Sequence, residues 1–213
     1  MHLIHRGIVN KKYKENLLKS FNQSFKKGYG IETDIHATKD QEFICFHDFT
    51  LNRIFKKKRS VKTMEYSQIK KISTQMKKPI PLLKDLLNAS KNKYTLFIEI
   101  KPNFSKKILQ KMLKITSKFS KCVFISFKHE NIYNLLKIKR GIKVGLSFSP
   151  STSIKKIIKK SNNKKIDCLV LDKFFLKNKS IQNLKVKKYY YTIKTKLEFN
   201  KYSKNNNLIF ENL

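Results

Sequence analysis

Apolar stretches in the first half of this chain end repeatedly in ionisable residues. The segments HLIHRG (2–7), GIETDIHATKD (30–40), FICFHD (43–48) and TLFIEIK (95–101) each read as a short β-strand whose last positions turn from apolar to charged. Glu32 and Asp34 are two residues apart and therefore share one face of a strand, as do Glu99 and Lys101. Burying charge on a strand is costly unless the groups pair or hold a metal ion. His5, Arg6, Glu32, Asp34, His47, Glu99 and Lys101 accordingly mark a candidate site.

Between the first two strands, Leu17, Leu18, Phe21 and Phe25 recur at helical spacing within residues 15–28, and Gly28 offers a C-terminal cap. Residues 51–72 predict an irregular excursion ending in a short helix, and residues 79–90 a helix opened by proline. From residue 94 onward the alternation is regular. Strands are expected at 94–101, 122–127, 143–148, 166–172, 188–194 and 208–211, with helices at 105–119, 129–140, 153–161, 178–184 and 196–206 between them. Strands that alternate with helices pair in parallel. Together with 2–5 and 30–36 they number eight, with 43–48 as an extra strand beside the second. The expectation is an α/β fold of the (β/α)8 TIM-barrel type, one domain over residues 1–213, slightly truncated at the C-terminus because no eighth helix follows 208–211. Active sites of such barrels lie at the carboxyl ends of the strands, where the candidate residues fall.

Charge changes this picture little. The formal net charge is +35, yet only four of the 49 basic residues are arginine, and the lysines are spread along the whole chain. Readers of nucleic acid favour arginine and carry recognisable motifs, and none is present, so nucleic acid is not expected as the main partner. A general pull on anionic substrates, or a transient contact with an anionic membrane surface, survives that discount. Cys45, Cys122 and Cys168 sit inside apolar runs without metal-ligand spacing and read as core thiols of a reducing compartment. No run of about 18 apolar residues occurs, and the chain is expected to be soluble and cytoplasmic.

Three carboxylates with no cysteine beside them suit a hard divalent cation, Mg²⁺ or Ca²⁺. Arg6 with Lys101 suits an anionic group, and two histidines suit proton transfer. No glycine-rich dinucleotide fingerprint is present, so phosphate-ester cleavage fits these parts better than redox chemistry. His2, His36 and His129 read as structural or surface groups, although His36 shares a strand face with Glu32 and Asp34. Asp48 and Arg53 fit equally well an orienting role on His47 and a loop clamp. Phe174-Phe175 and Tyr189-Tyr190-Tyr191 read as packing, with Tyr191 also placed to line a pocket.

A set of ordered motifs carries a resemblance. His5-Arg6-Gly7, Glu15-Asn16, Glu32-Thr33-Asp34-Ile35 with Thr38-Lys39-Asp40, His47-Asp48 with Leu51 and Arg53, Ile80-Pro81-Leu82-Leu83 and Glu99-Ile100-Lys101 together resemble the glycerophosphodiester phosphodiesterase family. The likeness continues in Ser126-Phe127, and in Tyr191-Thr192-Ile193-Lys194 where that family usually has Trp-Thr-Val-Asn. The family's late Thr-Asp-x-Pro element is reduced here to Ile209-Phe210-Glu211-Asn212-Leu213. The resemblance implies a barrel hydrolase that cleaves glycerophosphodiesters to an alcohol and sn-glycerol 3-phosphate. By it, His5 and His47 are the general acid/base pair, and Glu32, Asp34 and Glu99 hold a divalent cation. Arg6, Lys101 and Tyr191 face substrate. The attacking oxygen is the glycerol 2-hydroxyl or a water. Two alternatives stand beside it: a related phosphodiesterase acting on lysophospholipid or another phosphodiester, and a basic protein binding nucleic acid or anionic lipid without chemistry.

Overall fold

The computed structural model describes residues 1–211. Eight strands, β1 (Leu3–His5), β2 (Gly30–Ala37), β4 (Leu96–Ile100), β5 (Cys122–Ser126), β6 (Lys143–Phe148), β7 (Cys168–Asp172), β8 (Lys187–Ile193) and β9 (Asn207–Phe210), pair in parallel in a single ring. The ring closes where β1 pairs β9 on one side and β2 on the other, with His5 opposite Glu32. The short β3 (Phe43–Cys45) lies antiparallel on β2, as the extra strand the sequence predicts.

Alternation along each strand divides the core in two. Leu3, Phe97, Val123, Val170, Tyr189 and Ile209 belong to a cluster drawn from strands alone, which fills the barrel lumen. Their neighbours Ile4, Ile98, Phe124, Leu169 and Phe210 point outward and pack under helices. Those helices include α1 (Leu18–Lys26), α4 (Leu83–Ser90), α5 (Lys106–Thr116), α6 (His129–Ile138), α7 (Ile154–Ser161), α8 (Lys179–Gln182) and α9 (Lys196–Tyr202). In α5, Leu109, Met112, Leu113 and Thr116 are buried at helical spacing, and Ser105 caps the first turn by accepting from the Ile108 N–H.

Residues 51–82 build a satellite core. Helix α2 (Asn52–Phe55), a 3₁₀ turn (Val61–Thr63) and α3 (Tyr66–Gln75) bury Leu51, Phe55, Val61, Met64 and Ile69 against Ile44 and Phe46. The proline-opened helix expected from residue 79 begins later, at Leu83. Leu82 pairs with Ile44 in an isolated bridge and the Pro81 carbonyl accepts from the Cys45 N–H, so these residues extend along β3 instead. Phe174 is also a correction: it is 71% exposed, while Phe175 is buried as expected.

Among the described residues no helix follows β9. The Tyr29 and Phe199 rings meet Phe210 edge-on at 5.2 and 4.9 Å, covering the outer face of that sector. No described helix is long and apolar enough to cross a membrane.

Candidate active site

Continuing three of the lumen columns two residues beyond their apolar members replaces packing with chemistry. Leu3 leads to His5, Phe97 to Glu99 and then Lys101, and Ile209 to Glu211, all at the carboxyl mouth of the barrel. Arg6 follows β1 with a left-handed backbone (φ 55°), fixed by its N–H on the Glu32 carbonyl (2.8 Å) and its carbonyl on the Asn16 N–H (2.9 Å). Gly7 must be glycine: its φ is +76°, and a Cβ there would lie 3.0 Å from Phe21 and Ser20 of α1.

Glu32, Asp34 and Glu99 are 4, 1 and 7% exposed, and each offers an oxygen within 4.8 Å of the others. The cations that face them are Arg6, whose Nε lies 3.0 Å from Asp34 Oδ2, and Lys101, whose Nζ lies 2.8 Å from Glu99 and 3.4 Å from Asp34. Three carboxylates against two cations leave negative charge without a partner, and the buried Glu32 Oε2 has no hydrogen-bond donor. Burial first, then the charges of Asp34 and Glu99, push Glu32 well above the usual carboxylate range. The same two causes, burial and Asp34, raise Glu99 to about 7. Burial would raise Asp34 too, but Arg6 and Lys101 outweigh it and hold this carboxyl at about 2. An all-oxygen donor set with an orphaned oxygen and an excess of negative charge fits a hard divalent cation.

Two histidines flank this cluster in the same relation to a carboxylate. His5 Nδ1 lies 2.9 Å from Glu211 Oε2, and His47 Nδ1 lies 2.7 Å from Asp48 Oδ1. His5 turns its Nε2 toward Glu32 Oε2, 3.7 Å away. Burial lowers the His47 pKa below the ordinary imidazole value. Asp48 accepts from Arg53 Nε at 2.6 Å, and Arg53 also reaches Glu15, so His47, Asp48, Arg53 and Glu15 form one connected chain of polar contacts. His36 stands outside the cluster: burial lowers its pKa to about 4, and its Nε2–H donates to the His47 carbonyl at 3.1 Å.

The opening between these groups is a cavity of about 200 Å³. His5, Arg6, Glu32, His47, Glu99 and Lys101 form its charged side. Phe127 and Tyr191 stand opposite, their rings edge-to-face at 5.8 Å. The Tyr191 hydroxyl donates to the Phe148 carbonyl at 2.9 Å, so Tyr191 faces the cavity through its ring. Seven of the eight residues singled out from sequence thus line one space, and the eighth, Asp34, lies buried behind it against Arg6 and Lys101.

Three contributors were not singled out as site residues. Asn16, buried and left-handed (φ 54°), donates its amide to Asp34 Oδ2 (3.2 Å) and accepts from the Thr33 hydroxyl (2.8 Å). Glu211 repeats the signal seen elsewhere, an ionisable residue closing an apolar strand. Phe127 continues the Val123, Ile125 column into the cavity.

The profile of the Glycerophosphoryl diester phosphodiesterase family matches residues 5–190. The chain belongs to this family. A glycerophosphodiester phosphodiesterase of Caldanaerobacter subterraneus is 27% identical over 161 residues, 68% of this chain and 65% of that relative's length. The glycerophosphodiester phosphodiesterase structure from Thermotoga maritima superposes with a TM-score of 0.82 at 21% identity, covering 98% of this chain and 92% of that one. A phosphodiesterase of Oleispira antarctica, solved in complex with the product sn-glycerol-3-phosphate, gives a TM-score of 0.83 at 18% identity over 98% of this chain and 91% of that one. These likenesses establish that this family member shares the barrel.

Proposed function

We propose that this family member is a phosphoric diester hydrolase that cleaves glycerophosphodiesters to an alcohol and sn-glycerol 3-phosphate. The observation that carries this reading is the pair of carboxylate-anchored histidines, His5 and His47, on either side of a buried cluster of three carboxylates. A nucleic-acid or lipid-binding protein without chemistry gives no reason to bury such a cluster beneath two histidines.

Glu32, Asp34 and Glu99 would hold a divalent cation, Mg²⁺ or Ca²⁺. When bound, that cation supplies positive charge to the phosphate and its attacking oxygen. Arg6 and Lys101 add fixed positive charge beside the same space, suited to the charge that develops on the phosphoryl oxygens. One histidine takes the proton of the attacking hydroxyl, from water or the adjacent glycerol oxygen, as the new P–O bond forms. The other gives a proton to the leaving alkoxide as the old P–O bond breaks. Where the glycerol oxygen attacks, this leaves a cyclic phosphate, and water then opens it with the two proton transfers reversed, giving sn-glycerol 3-phosphate. Phe127 and Tyr191 bound the organic part of the substrate and exclude water from that side. Three buried free thiols support a reducing, cytoplasmic setting.

The test is release of glycerol 3-phosphate from a panel of glycerophosphodiesters with Mg²⁺, Ca²⁺ or EDTA, using wild type and His5→Ala. Release that needs both a cation and His5 supports the reading, and no release from any diester under either cation overturns it.

A further inference from the structure

We propose that Glu211 is the positioning residue of His5, accepting from its Nδ1–H and so keeping Nε2 turned toward the acidic cluster. The two residues are 206 positions apart and meet only because β9 closes the barrel against β1. Glu211 is fixed independently of His5. Its backbone N–H donates to the Ile193 carbonyl at 2.9 Å, and its second carboxylate oxygen lies 3.4 Å from Lys194 Nζ. A carboxylate oxygen 2.9 Å from Nδ1 can only accept, so Nδ1 carries a proton, and in the uncharged ring the lone pair is then on Nε2.

The opposite tautomer has a competing attraction. His5 Nε2 lies 3.7 Å from Glu32 Oε2, the buried oxygen that lacks a donor. With Glu211 removed, a small ring movement would give that oxygen an Nε2–H donor and leave His5 unable to accept a proton from the cavity. The carboxylate on Nδ1 therefore decides between a base and a spent donor. His47 supports the reading by repetition: the adjacent Asp48 places a carboxylate oxygen 2.7 Å from its Nδ1. The effect on rate rests on the phosphodiesterase reading, whereas the tautomer does not.

The experiment compares wild type with Glu211→Leu and Glu211→Asp by ¹⁵N-histidine NMR at a pH alkaline of ordinary imidazole titration. The His5 signals are assigned with His5→Gln, and each variant is then assayed on the diesters that wild type cleaves. Expected are an Nδ1–H tautomer in wild type, a majority Nε2–H tautomer in Glu211→Leu, a loss in kcat of at least about tenfold with KM nearly unchanged, and partial recovery of both readouts in Glu211→Asp. Should Glu211→Leu fail to fold, Glu211→Met, which likewise removes the carboxylate acceptor, replaces it. A His5 that keeps its proton on Nδ1 without the carboxylate overturns the proposal, as does a tautomer shift with kcat unaltered. If wild type cleaves no diester, the phosphodiesterase reading falls and the NMR comparison alone decides the role of Glu211.

Discussion

The Lys101 ammonium lies 2.8 Å from a Glu99 carboxylate oxygen, on the same face of one strand, and reaches on to Asp34 at 3.4 Å. Burial disfavours that ammonium, yet Glu99 and Asp34 outweigh it and raise its pKa. Removing one partner of a buried ion pair typically costs about 3–5 kcal/mol, because the other charge is left unpaired. Lys101→Met is therefore expected to lower thermal stability in EDTA by an amount of that order. Part of the loss should return on adding Mg²⁺ or Ca²⁺, since a cation neutralises the same carboxylates. Equal destabilisation with and without the cation, followed by circular dichroism, would show that Lys101 does not share the cluster's charge with an ion.

His5→Ala and His47→Ala are each expected to lower kcat by about 10²- to 10⁴-fold, the usual worth of a positioned proton-transfer group. His5 and His47 are 16 and 32% exposed as side chains, so truncation leaves only a small void and the melting temperature should change little. Wild-type turnover in either variant would remove that histidine from the chemistry.

The raised carboxylates fix a direction for the pH dependence of the metal-free protein. Glu99 titrates at about 7 when folded against 4.5 as its ordinary value. Between those values the folded chain binds more protons than the unfolded one, so stability falls as pH rises through the window. A shift of this size corresponds to about 3 kcal/mol. Glu32 acts with the same sign, while Asp34, held at about 2, contributes stability that is lost only at still lower pH. A bound cation selects the ionised carboxylates and should cancel the fall. Thermal denaturation near pH 5 and near pH 8, with EDTA and with Ca²⁺, is expected to show a stabilisation by the cation that grows with pH. A stabilisation that shrinks toward pH 8 would contradict the assignment.

The barrel and most of its mouth were legible because both follow a period of two. A column such as Phe97, Glu99, Lys101 announces in sequence where packing ends and chemistry begins. What depends on partners distant in the chain was not legible. Pro81 and Leu82 have the local character of a helix start, but pairing with β3 overrides it. Glu211 closes the last strand with the right residue type, yet its contact with His5 exists only once the ring is closed. Phe174 and Phe175 are both apolar and adjacent, and only the turn between β7 and α8 decides which one is exposed.

Asn16 illustrates a residue whose work is separable by substitution. Its left-handed backbone and its side-chain bonds to Asp34 and Thr33 are distinct demands. Asn16→Gly satisfies the backbone and removes the amide, whereas Asn16→Ala removes the amide and adds strain. Both should weaken cation affinity, measured by calorimetry, by about 10- to 100-fold, and Asn16→Ala should be the less stable of the two. Unchanged affinity in Asn16→Gly would mean that Arg6 and Lys101 suffice to orient Asp34.

The apolar wall offers the means to separate glycerophosphodiesters from lysophospholipids as substrates. Phe127 is 41% exposed at the rim of a cavity of about 200 Å³, and its ring meets Tyr191 edge-on. A rim side chain of this size excludes bulk without touching the ionisable groups across the cavity. Phe127→Ala should therefore leave the phosphate and proton-transfer machinery in place while widening the entrance. A single apolar contact of this kind is worth about 1–3 kcal/mol in discrimination. The ratio of kcat/KM for an acyl-bearing diester to that for one with a small alcohol is expected to rise at least about tenfold, carried mainly by the bulky substrate. Tyr191→Phe, which loses only the hydroxyl bonded to the Phe148 carbonyl, should move that ratio far less. A ratio that Phe127→Ala leaves where it was would place the alcohol side of the substrate elsewhere on the mouth.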